Sequence, residues 1–386
     1  MSKSKKTNKK IAMIGHKRVP SREGGVEIVV WELSKRLVKL GYEVDVFNRG
    51  EKNKKLGKNA VIEAAKEGVK IISIPTFENG NLNAFIYTLF ASIRALFGNY
   101  DLIHFHAEGP CLLIWLPKLF GIKTVATVHG LDWQRSKWGS FATKVIKHGE
   151  KNAAKYADQI IVLSQNVQDY FSKEYKRETV YIPNGIDKPQ LLAPNIIKNK
   201  YGLNKDGYIY TLCRLVPEKG LHYLLDAFNG IDTDKKLVLV GGESNAKGYM
   251  MQLKELASKD DRVIMTGFVE GQELTEICSN AYAFVLPSDV EGMSISLLEA
   301  MSYGNCCIVS DIKENLEVVD DKAISFIKSN VEDLREKLQF ILDSTEEKEK
   351  YSSEASDYIC KKYSWEKVAE ETNNIYENLI YENINE

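Results

Sequence analysis

Short apolar runs alternate along this chain with longer segments in which apolar residues recur at helical spacing. Residues 10–15 form a first run of the kind found in buried parallel strands. After a loop rich in glycine and charge, residues 26–40 carry apolar side chains at helical spacing up to Gly41. The alternating run 42–47 completes a strand–loop–helix–strand unit, which predicts the opening of a doubly wound α/β domain.

The same alternation continues through two successive halves. In the first half we expect further strands at 69–74, 102–105, 124–127 and 159–163 and helices at 82–97, 111–120 and 141–156. In the second we expect strands at 208–212, 236–240, 262–266, 283–286 and 307–310, and helices at 220–228, 250–258, 272–279 and from 295 onward. The pattern predicts an α/β chain of two Rossmann-like doubly wound domains that face each other across a cleft.

Turn residues mark where the first domain ends. The segment 180–187, VYIPNGID, places the boundary near residue 187. We therefore predict an N-terminal domain over 1–187 that binds the acceptor and a C-terminal domain over 188–364 that binds the nucleotide sugar. The amphipathic segment at 365–380 predicts a last helix within 365–386, and we expect it to pack back onto the first domain.

Composition restricts the class of protein. The chain has 386 residues, of which 44% are hydrophobic and 27% charged, as in globular proteins. Its lysine-rich first ten residues lack the apolar core of a secretory signal, and no apolar run approaches the roughly 20 residues of a membrane span. The 6 cysteines have no CxxC spacing and the histidines are not clustered, which predicts reduced thiols, a cytoplasmic location and no metal site.

Charge is distributed unevenly. Residues 1–187 contain 30 Lys+Arg against 18 Asp+Glu, a balance of +12, while the whole chain has a net charge of −1. A basic half favours an anionic partner for that domain; two differently solvated surfaces are the alternative. Nucleic acid is disfavoured as a partner, because the net charge is near zero and no recognition motif is present.

Two carboxylates flank a glycine loop in the segment EGMSISLLE, at Glu291 and Glu299. The loop follows a predicted strand and precedes a predicted helix, so it lies at the carboxyl end of the sheet, where ligands bind. There the start of the helix offers backbone N–H groups to a diphosphate, and two carboxylates can accept hydrogen bonds from sugar and ribose hydroxyls. An unspecialised surface helix is the alternative. The loop residues concerned are Gly292, Met293, Ser294 and Ile295.

Two cations follow the first strand of the second half, at Arg214 and Lys219. They bracket a turn and are expected to point to the same strand ends as the glutamates. Fixed cations stabilise a departing diphosphate where many enzymes use Mg²⁺, so neither a metal nor another cofactor is expected. An exposed charged turn is the alternative.

In the first half, Gly24 and Gly25 join the first strand to its helix, and paired glycines let a backbone approach a ligand closely. The spacing is not that of a dinucleotide fingerprint. Glu27, in the first helical turn, is either a favourable helix-end charge or an acceptor contact.

Histidines follow two predicted strands of the first half. His129 comes directly after the strand at 124–127, where it can hydrogen-bond a sugar hydroxyl or the reacting centre. His104 and His106 share one face of another strand and are interpreted as cleft lining or structure.

Taken together, these motifs resemble glycosyltransferase family four. The resemblance covers nearly the whole chain: the Gly24-Gly25 loop, His129, VYIPNGID, the Arg214/Lys219 pair and EGMSISLLEAMSYG. It implies a GT-B fold and transfer from a nucleotide diphosphate sugar with retained anomeric configuration. It also implies that Arg214 and Lys219 hold the diphosphate, Glu299 the ribose and Glu291 the donor sugar, with Gly25 near the phosphate and His129 near the sugar.

The chain departs from the family pattern at two positions. Cys213 stands where the family usually has glycine before Arg214, and Ser294 replaces a frequent glycine of the EGM loop. The segment IGHKRVPSREGGVE is similar to a bacterial subgroup linked to rhamnose-type transfer in surface polysaccharides.

The resulting hypothesis is a retaining enzyme that moves a hexosyl or deoxyhexosyl unit to a saccharide or a lipid-linked saccharide in bacterial surface polysaccharide synthesis. The basic first domain and the apolar segments 85–97 and 112–120 would suit a peripheral contact with an anionic inner membrane face, although ordinary core helices explain the segments equally. Two other classes are weighed: a sugar-nucleotide epimerase or phosphorylase on a similar fold, and a catalytically silent sugar-nucleotide-binding or scaffold protein.

Overall fold

The structure, a computed structural model, describes residues 9–50, 56–76, 80–134, 139–242 and 247–381. The chain divides into two compact units, one comprising Met1–Gly185 with Trp365–Glu386 and the other Ile186–Ser364. Most of the lysine-rich N-terminal tail and the last five residues of the predicted C-terminal helix segment lie outside the described residues.

The first unit is built on a parallel sheet. Its described strands, in the spatial order β3-β2-β1-β4-β5-β6-β7, are all parallel to their neighbours. The strands are β1 Lys10–Ile14, β2 Glu43–Gly50, β3 Lys70–Pro75, β4 Leu102–His106, β5 Lys123–Val128, β6 Gln159–Val162 and β7 Val180–Tyr181. Residues of β1 and β4 are almost completely buried, as expected for the centre of a sheet covered on both faces.

Helices connect these strands. They are α1 Gly25–Lys39, α2 Lys58–Lys66, α3 Gly80–Leu96, α4 Trp115–Lys118, α5 Ser140–Tyr156 and α6 Gln165–Tyr175. The helix predicted over 111–120 is instead a 3-10 turn, Pro110–Leu113, followed by the short α4. Pro117 would lie in the interior of a regular helix over this segment, where its missing backbone N–H and its ring interrupt the helix.

The second unit repeats this plan. Its described strands follow the spatial order β10-β9-β8-β11-β12-β13, again all parallel. They are β8 Tyr208–Leu212, β9 Lys236–Val240, β10 Val263–Gly267, β11 Ala283–Leu286, β12 Cys306–Ser310 and β13 Ile324–Phe326. The helices are α7 Ile196–Tyr201, α8 Leu221–Asn229, α9 Lys247–Ala257, α10 Gly271–Asn280, α11 Ile295–Ser302, α12 Lys313–Val319, α13 Val331–Asp343, α14 Thr345–Ser353 and α15 Ala355–Lys362.

The C-terminal helix, α16 (Trp365–Tyr381), belongs to the first unit and packs on α1. Arg36 of α1 forms an ion pair with Glu366 at 3.2 Å, and the Tyr42 hydroxyl donates to Asn373 Oδ1 at 2.9 Å. Tyr376, fully buried, reaches the central strand β4. Across the described residues, helices that combine enough length with enough apolar character to cross a membrane are absent.

Candidate active site

Strand order reverses once in each sheet, between β1 and β4 and between β8 and β11. In doubly wound sheets ligands bind at such reversals, outside the carboxyl ends of the strands. A glycine with positive φ lies at each reversal. A Cβ on Gly15 (φ +125°) would lie 2.1 Å from the His106 carbonyl oxygen, and one on Gly220 (φ +66°) would lie 2.0 Å from that of Pro287. Only glycine allows the loops to approach this closely, so their polar residues are gathered at one point.

In the second unit this point brings together the two motifs that the sequence singles out. Lys219, at the end of the 3-10 turn Pro217–Lys219, forms an ion pair with the carboxylate of Glu291 from the loop after β11. Their side chains are 13% and 7% exposed, so both charges lie largely out of water. The Asp289 N–H also donates to the Glu218 carbonyl at 2.9 Å, which joins the two loops through the backbone.

Arg214 lies two residues after the end of β8 and is half-buried. Its carbonyl accepts a hydrogen bond from the Val216 N–H at 2.9 Å, and the Val216 carbonyl accepts one from the Lys219 N–H at 3.0 Å. These bonds define the turn that separates the two cations. Removal of either Lys219 or Glu291 alone should lower the stability of the fold, because the nearly buried charge of the other residue is then uncompensated.

The EGMS loop leads into α11 through a side-chain cap. Ser294 Oγ accepts a hydrogen bond from the Leu297 N–H at 3.3 Å and lies 3.0 Å from Ser296 Oγ. Residues 292–295 are buried at the amino end of the helix, and Glu299 is half-buried further along it. Serine in place of the usual glycine therefore provides the helix cap.

Cys213, the other departure from the family pattern, precedes Arg214 at the end of β8. Burial raises the pKa of the Cys213 thiol to about 11, and the nearby Lys219 ammonium opposes that rise. The side chain is therefore a neutral thiol near pH 7.

In the first unit, Gly24 is the residue before α1 and Gly25 is the first residue of the helix. Glu27, in the first turn, is buried, and its Oε1 accepts a hydrogen bond from the Lys17 N–H at 2.8 Å. Glu27 thus joins the glycine loop to the end of β1.

Three histidines of the first unit form a buried row. The rings of His104 and His106 stack with centroids 4.2 Å apart, and His106 Nδ1 lies 3.1 Å from His129 Nε2. At the other end, His104 Nδ1 lies 2.6 Å from the Tyr376 hydroxyl, and His104 Nε2 lies 2.7 Å from Thr127 Oγ1. The predicted site residue His129 is therefore connected through two histidines to the C-terminal helix.

The row is neutral where it is most deeply buried. Burial lowers the pKa of His104 to about 3, and burial followed by the neighbouring histidines lowers that of His106 well below its ordinary value. His106 Nε2 has no hydrogen-bond partner among the described residues. Because a buried N–H without a partner is rarer than a buried acceptor without one, this favours a proton on Nδ1, donated to His129 Nε2.

Two carboxylic side chains that the sequence analysis missed contact the segment that follows His129. Glu108, in the turn after β4, and Glu150, on α5, are both fully buried. The sequence signal was available: each is an acidic residue adjacent to a glycine, one in HAEGP and the other in KHGEK. Over the described ranges, clusters of three or more His, Cys, Asp or Glu side chains able to bind a metal do not occur.

Two Rossmann-like sheets with polar residues gathered at their reversal points define the GT-B class of glycosyltransferases. Two family models match the chain: "Glycosyltransferase Family 4" over residues 23–189 and "Glycosyl transferases group 1" over residues 195–358. The chain belongs to glycosyltransferase family four, which confirms the resemblance.

Known relatives agree with this assignment. Over 244 residues, covering 59% of this chain and 62% of the relative, the chain is 30% identical to an Escherichia coli UDP-Gal:alpha-D-GlcNAc-diphosphoundecaprenol alpha-1,3-galactosyltransferase. The fold matches that of a sucrose-phosphate synthase from Thermosynechococcus elongatus, with a TM-score of 0.81, 21% identity and coverage of 96% and 99% of the two chains. It also matches Anabaena HepE in complex with UDP and glucose, with a TM-score of 0.79, 16% identity and coverage of 95% and 98%. The predicted GT-B fold class is confirmed.

Proposed function

We propose that this glycosyltransferase moves a hexosyl or deoxyhexosyl unit from a nucleotide diphosphate sugar to a saccharide or a lipid-linked saccharide, with retained configuration, in bacterial surface polysaccharide synthesis. The observation that carries the proposal is the Lys219–Glu291 ion pair at the reversal point of the second sheet, beside Arg214. It places a cation suited to a diphosphate against a carboxylate suited to sugar hydroxyls.

The donor is assigned to the second unit. Arg214 offers a planar fork of N–H donors and Lys219 a compact charge, and together they would bind the diphosphate without a metal. The backbone of residues 292–295, at the amino end of α11, would contribute further N–H donors to the same phosphates. Glu299 would accept hydrogen bonds from the ribose hydroxyls, and Glu291 would accept them from the donor sugar.

The first unit is assigned to the acceptor and to the sugar side of the reaction. His129 would hydrogen-bond a hydroxyl of the transferred sugar, and the backbone at Gly24 and Gly25 would lie near the phosphate. In a same-face displacement the bond between the anomeric carbon and the phosphate oxygen breaks as the bond to the acceptor oxygen forms. The acceptor's proton passes to the departing phosphate, whose negative charge Arg214 and Lys219 stabilise.

The relatives' names support the donor and acceptor classes. The Escherichia coli enzyme is named for a UDP-sugar and a diphosphoundecaprenol-linked acceptor, and HepE is seen with UDP and glucose. The opening segment IGHKRVPSREGGVE supports a deoxyhexose of the rhamnose type as the transferred unit.

A peripheral membrane contact is part of the proposal, because a lipid-linked acceptor lies at a bilayer surface. Helix α3 and the residue that follows it expose Phe85, Phe90, Ile93 and Phe97 at between 39% and 81%, while Tyr87 and Ala91 of the same helix are buried. The helix therefore has one side in the core and one apolar side that is exposed. Segment 85–97 thus has the features of a core helix on one side and those of a membrane-contacting surface on the other. Such an outer side fits an interfacial helix.

Basic residues adjoin this apolar surface. A groove of about 640 Å³ between α3 and β3 is lined by Phe90, Ile93 and Phe97 and, at one end, by Lys10, Lys70 and Arg94 around a single carboxylate, Asp45. Lys10 and Lys70 both lie within ion-pair distance of Asp45, at 3.3 and 3.6 Å, so one acid faces three cations. This excess of positive charge favours anionic lipid headgroups.

A nucleotide panel tests the donor site. We expect one of the UDP-, GDP-, ADP- or dTDP-sugar series to raise the unfolding temperature of the purified chain, because a ligand that binds only the folded state stabilises it. The shift should persist in EDTA, since the cations replace a metal. Failure of every series to bind folded protein would reject the donor assignment, and a shift that EDTA abolishes would reject the metal-free mechanism.

A further inference from the structure

Glu108 and Glu150 form a pair of buried carboxylic side chains that no role in the proposed reaction uses. Both side chains are fully buried, and Glu150 lies close enough to Glu108 to raise the pKa of its carboxyl group. Helix α5 packs against the turn that carries Glu108, and the contact is made at Gly149. A Cβ at this position would lie 2.1 Å from the Glu108 carbonyl oxygen. The close packing is therefore built into the helix by a glycine in its interior.

The hydrogen-bond donors around the pair are distributed unequally. Glu150 Oε1 accepts from the hydroxyls of Tyr170, at 2.8 Å, and Tyr175, and Glu150 Oε2 accepts from the Trp133 indole N–H at 3.0 Å. Two O–H donors and one N–H donor thus converge on one carboxyl group, an arrangement that favours a negatively charged carboxylate.

Glu108 has the opposite pattern. Its Oε2 accepts from the Asp132 N–H at 2.8 Å, whereas its buried Oε1 receives no hydrogen bond from any described N–H or O–H donor. Two neighbouring charged carboxylates repel each other, and none of the described groups that shift the pKa of Glu108 is a cation, so one of the two is expected to hold a proton. The oxygen without a donor, Glu108 Oε1, is the place for that proton.

We propose that Glu108 is a neutral carboxylic acid that donates its proton to an ionised Glu150, and that this pair positions the segment carrying His129. The segment 130–134 directly follows His129. Glu108 accepts a hydrogen bond from the Asp132 N–H of this segment, and Glu150 accepts one from the Trp133 indole N–H. Glu108 and Glu150 are positioning residues: they act on the sugar side of the site through His129. The inference rests on the role proposed for His129, but its geometry and its test involve no substrate.

The electrostatic surroundings agree with a neutral Glu108. Burial, then the hydrogen bond with Glu150, then the charges of Asp132 and Glu150 raise the pKa of Glu108 well above its ordinary value, and only the Asp132 N–H opposes them. The other groups facing the pair are the tyrosines of α6, the Trp133 indole with Lys147 lying 4.0 Å from its ring centroid, and the Cys111 thiol, whose pKa burial also raises.

A raised carboxyl pKa has a defined effect on stability. The folded state keeps the Glu108 proton over a range of pH in which the unfolded chain has released it, so stability falls as pH rises from about 4.3 toward the folded pKa. Replacing Glu108 by glutamine removes this loss, because an amide donates to Glu150 and accepts from Asp132 without titrating.

Two isosteric variants and one matched control test the pair. Glu108→Gln should leave the NMR signals of the Trp133 indole N–H and the His129 ring near their wild-type positions. The unfolding temperature of this variant, relative to that of the wild type, should increase as pH rises from 5 to 8. Glu150→Gln should shift both signals and speed exchange of the indole proton by about tenfold or more, since one amide oxygen cannot accept from three donors.

The control is Glu276→Gln in the second unit. Glu276 is fully buried and accepts from the backbone N–H groups of residues 195–197 at 2.6 to 3.2 Å. Burial raises its pKa, but the hydrogen bonds from Gln272 and these N–H groups outweigh burial and lower it overall. This carboxylate stabilises the fold above its unfolded pKa and loses that effect as pH falls, so Glu276→Gln should cost more stability at pH 7 than at pH 4.

Equal losses in Glu108→Gln and Glu150→Gln would overturn the assignment of the proton, and unmoved Trp133 and His129 signals in Glu150→Gln would overturn the positioning role. If Glu150→Gln does not fold, Glu108→Gln decides alone: a pH profile of stability parallel to the wild type overturns the proposal. Each outcome is separate from donor binding, which the nucleotide panel measures.

Discussion

The two sheets of this enzyme have the same reversal in strand order and opposite chemistry at that reversal. In the second unit the loops after β8 and β11 gather formal charges, with Lys219 paired to Glu291 and Arg214 beside them. In the first unit the strand ends carry stacked histidines of lowered pKa, and the pKa of Glu108, in the turn after β4, is raised by burial. The reversal in strand order therefore carries charged side chains in the second unit and uncharged histidines in the first.

The difference matches the two halves of a glycosyl transfer. A nucleotide diphosphate is anionic and becomes more so as it departs, so fixed cations favour its release. A sugar hydroxyl is neutral, and a positive group beside it would instead attract the phosphate. Burial keeps His104 and His106 uncharged, so these two side chains add no such positive group to the first unit.

The largest effect on the transfer rate is expected when the cations at the reversal of the second sheet are removed. Arg214→Ala combined with Lys219→Ala should lower the transfer rate by about a thousandfold or more, because each donor to a developing oxyanion contributes about a hundredfold or more. The measurement is the rate of nucleotide diphosphate release with the donor that stabilises the protein. Lys200→Ala is the matched control, since its ion pair with Glu273 lies on the surface of the same unit. A double variant with near wild-type transfer would remove the diphosphate role.

A smaller effect is expected at the ribose. Glu299→Gln should weaken donor binding by about tenfold, since an amide is a poorer acceptor for two hydroxyls than a carboxylate. Isothermal titration with the nucleotide diphosphate alone isolates this contact from the sugar. Glu255→Gln, at an exposed position of α9, serves as the control. Unchanged affinity in Glu299→Gln would exclude the ribose role and leave the residue as part of α11 only.

Much of this architecture follows from local pattern. Strands β8, β9 and β11 have the predicted bounds, because each is a continuous apolar run ended by polar or turn residues. Helices α2 and α6 were not predicted. Each buries few side chains, such as Ala64 in α2 and Val167 with Phe171 in α6, so the apolar periodicity is too short to be recognised.

The site was predictable in the second unit and only partly in the first. The residues around Lys219 and Glu291 belong to contiguous motifs, so their chemistry is visible within a few positions of sequence. The histidine row joins residues of β4 and the end of β5 to α16, and the contact between His104 and Tyr376 spans 272 positions of the sequence. Only tertiary packing brings such groups together. The sequence by itself therefore does not distinguish a connected histidine row from histidines that line a cleft or stabilise the fold.

The smallest expected effect concerns the outer face of α3 in the first unit. If an anionic bilayer binds the apolar side of α3, Phe90→Ser with Phe97→Ser should reduce co-sedimentation with phosphatidylcholine–phosphatidylglycerol vesicles by about tenfold, because two rings inserted only partly at an interface together contribute about 1.5 kcal/mol, the lower value for full burial of one such side chain. Phe268→Ser is the control, since Phe268 is 50% exposed on the other unit. Vesicles of phosphatidylcholine alone should bind more weakly, as the cations around Asp45 require. Equal loss in the control, or loss of self-association in place of vesicle binding, would assign this surface to something other than a membrane.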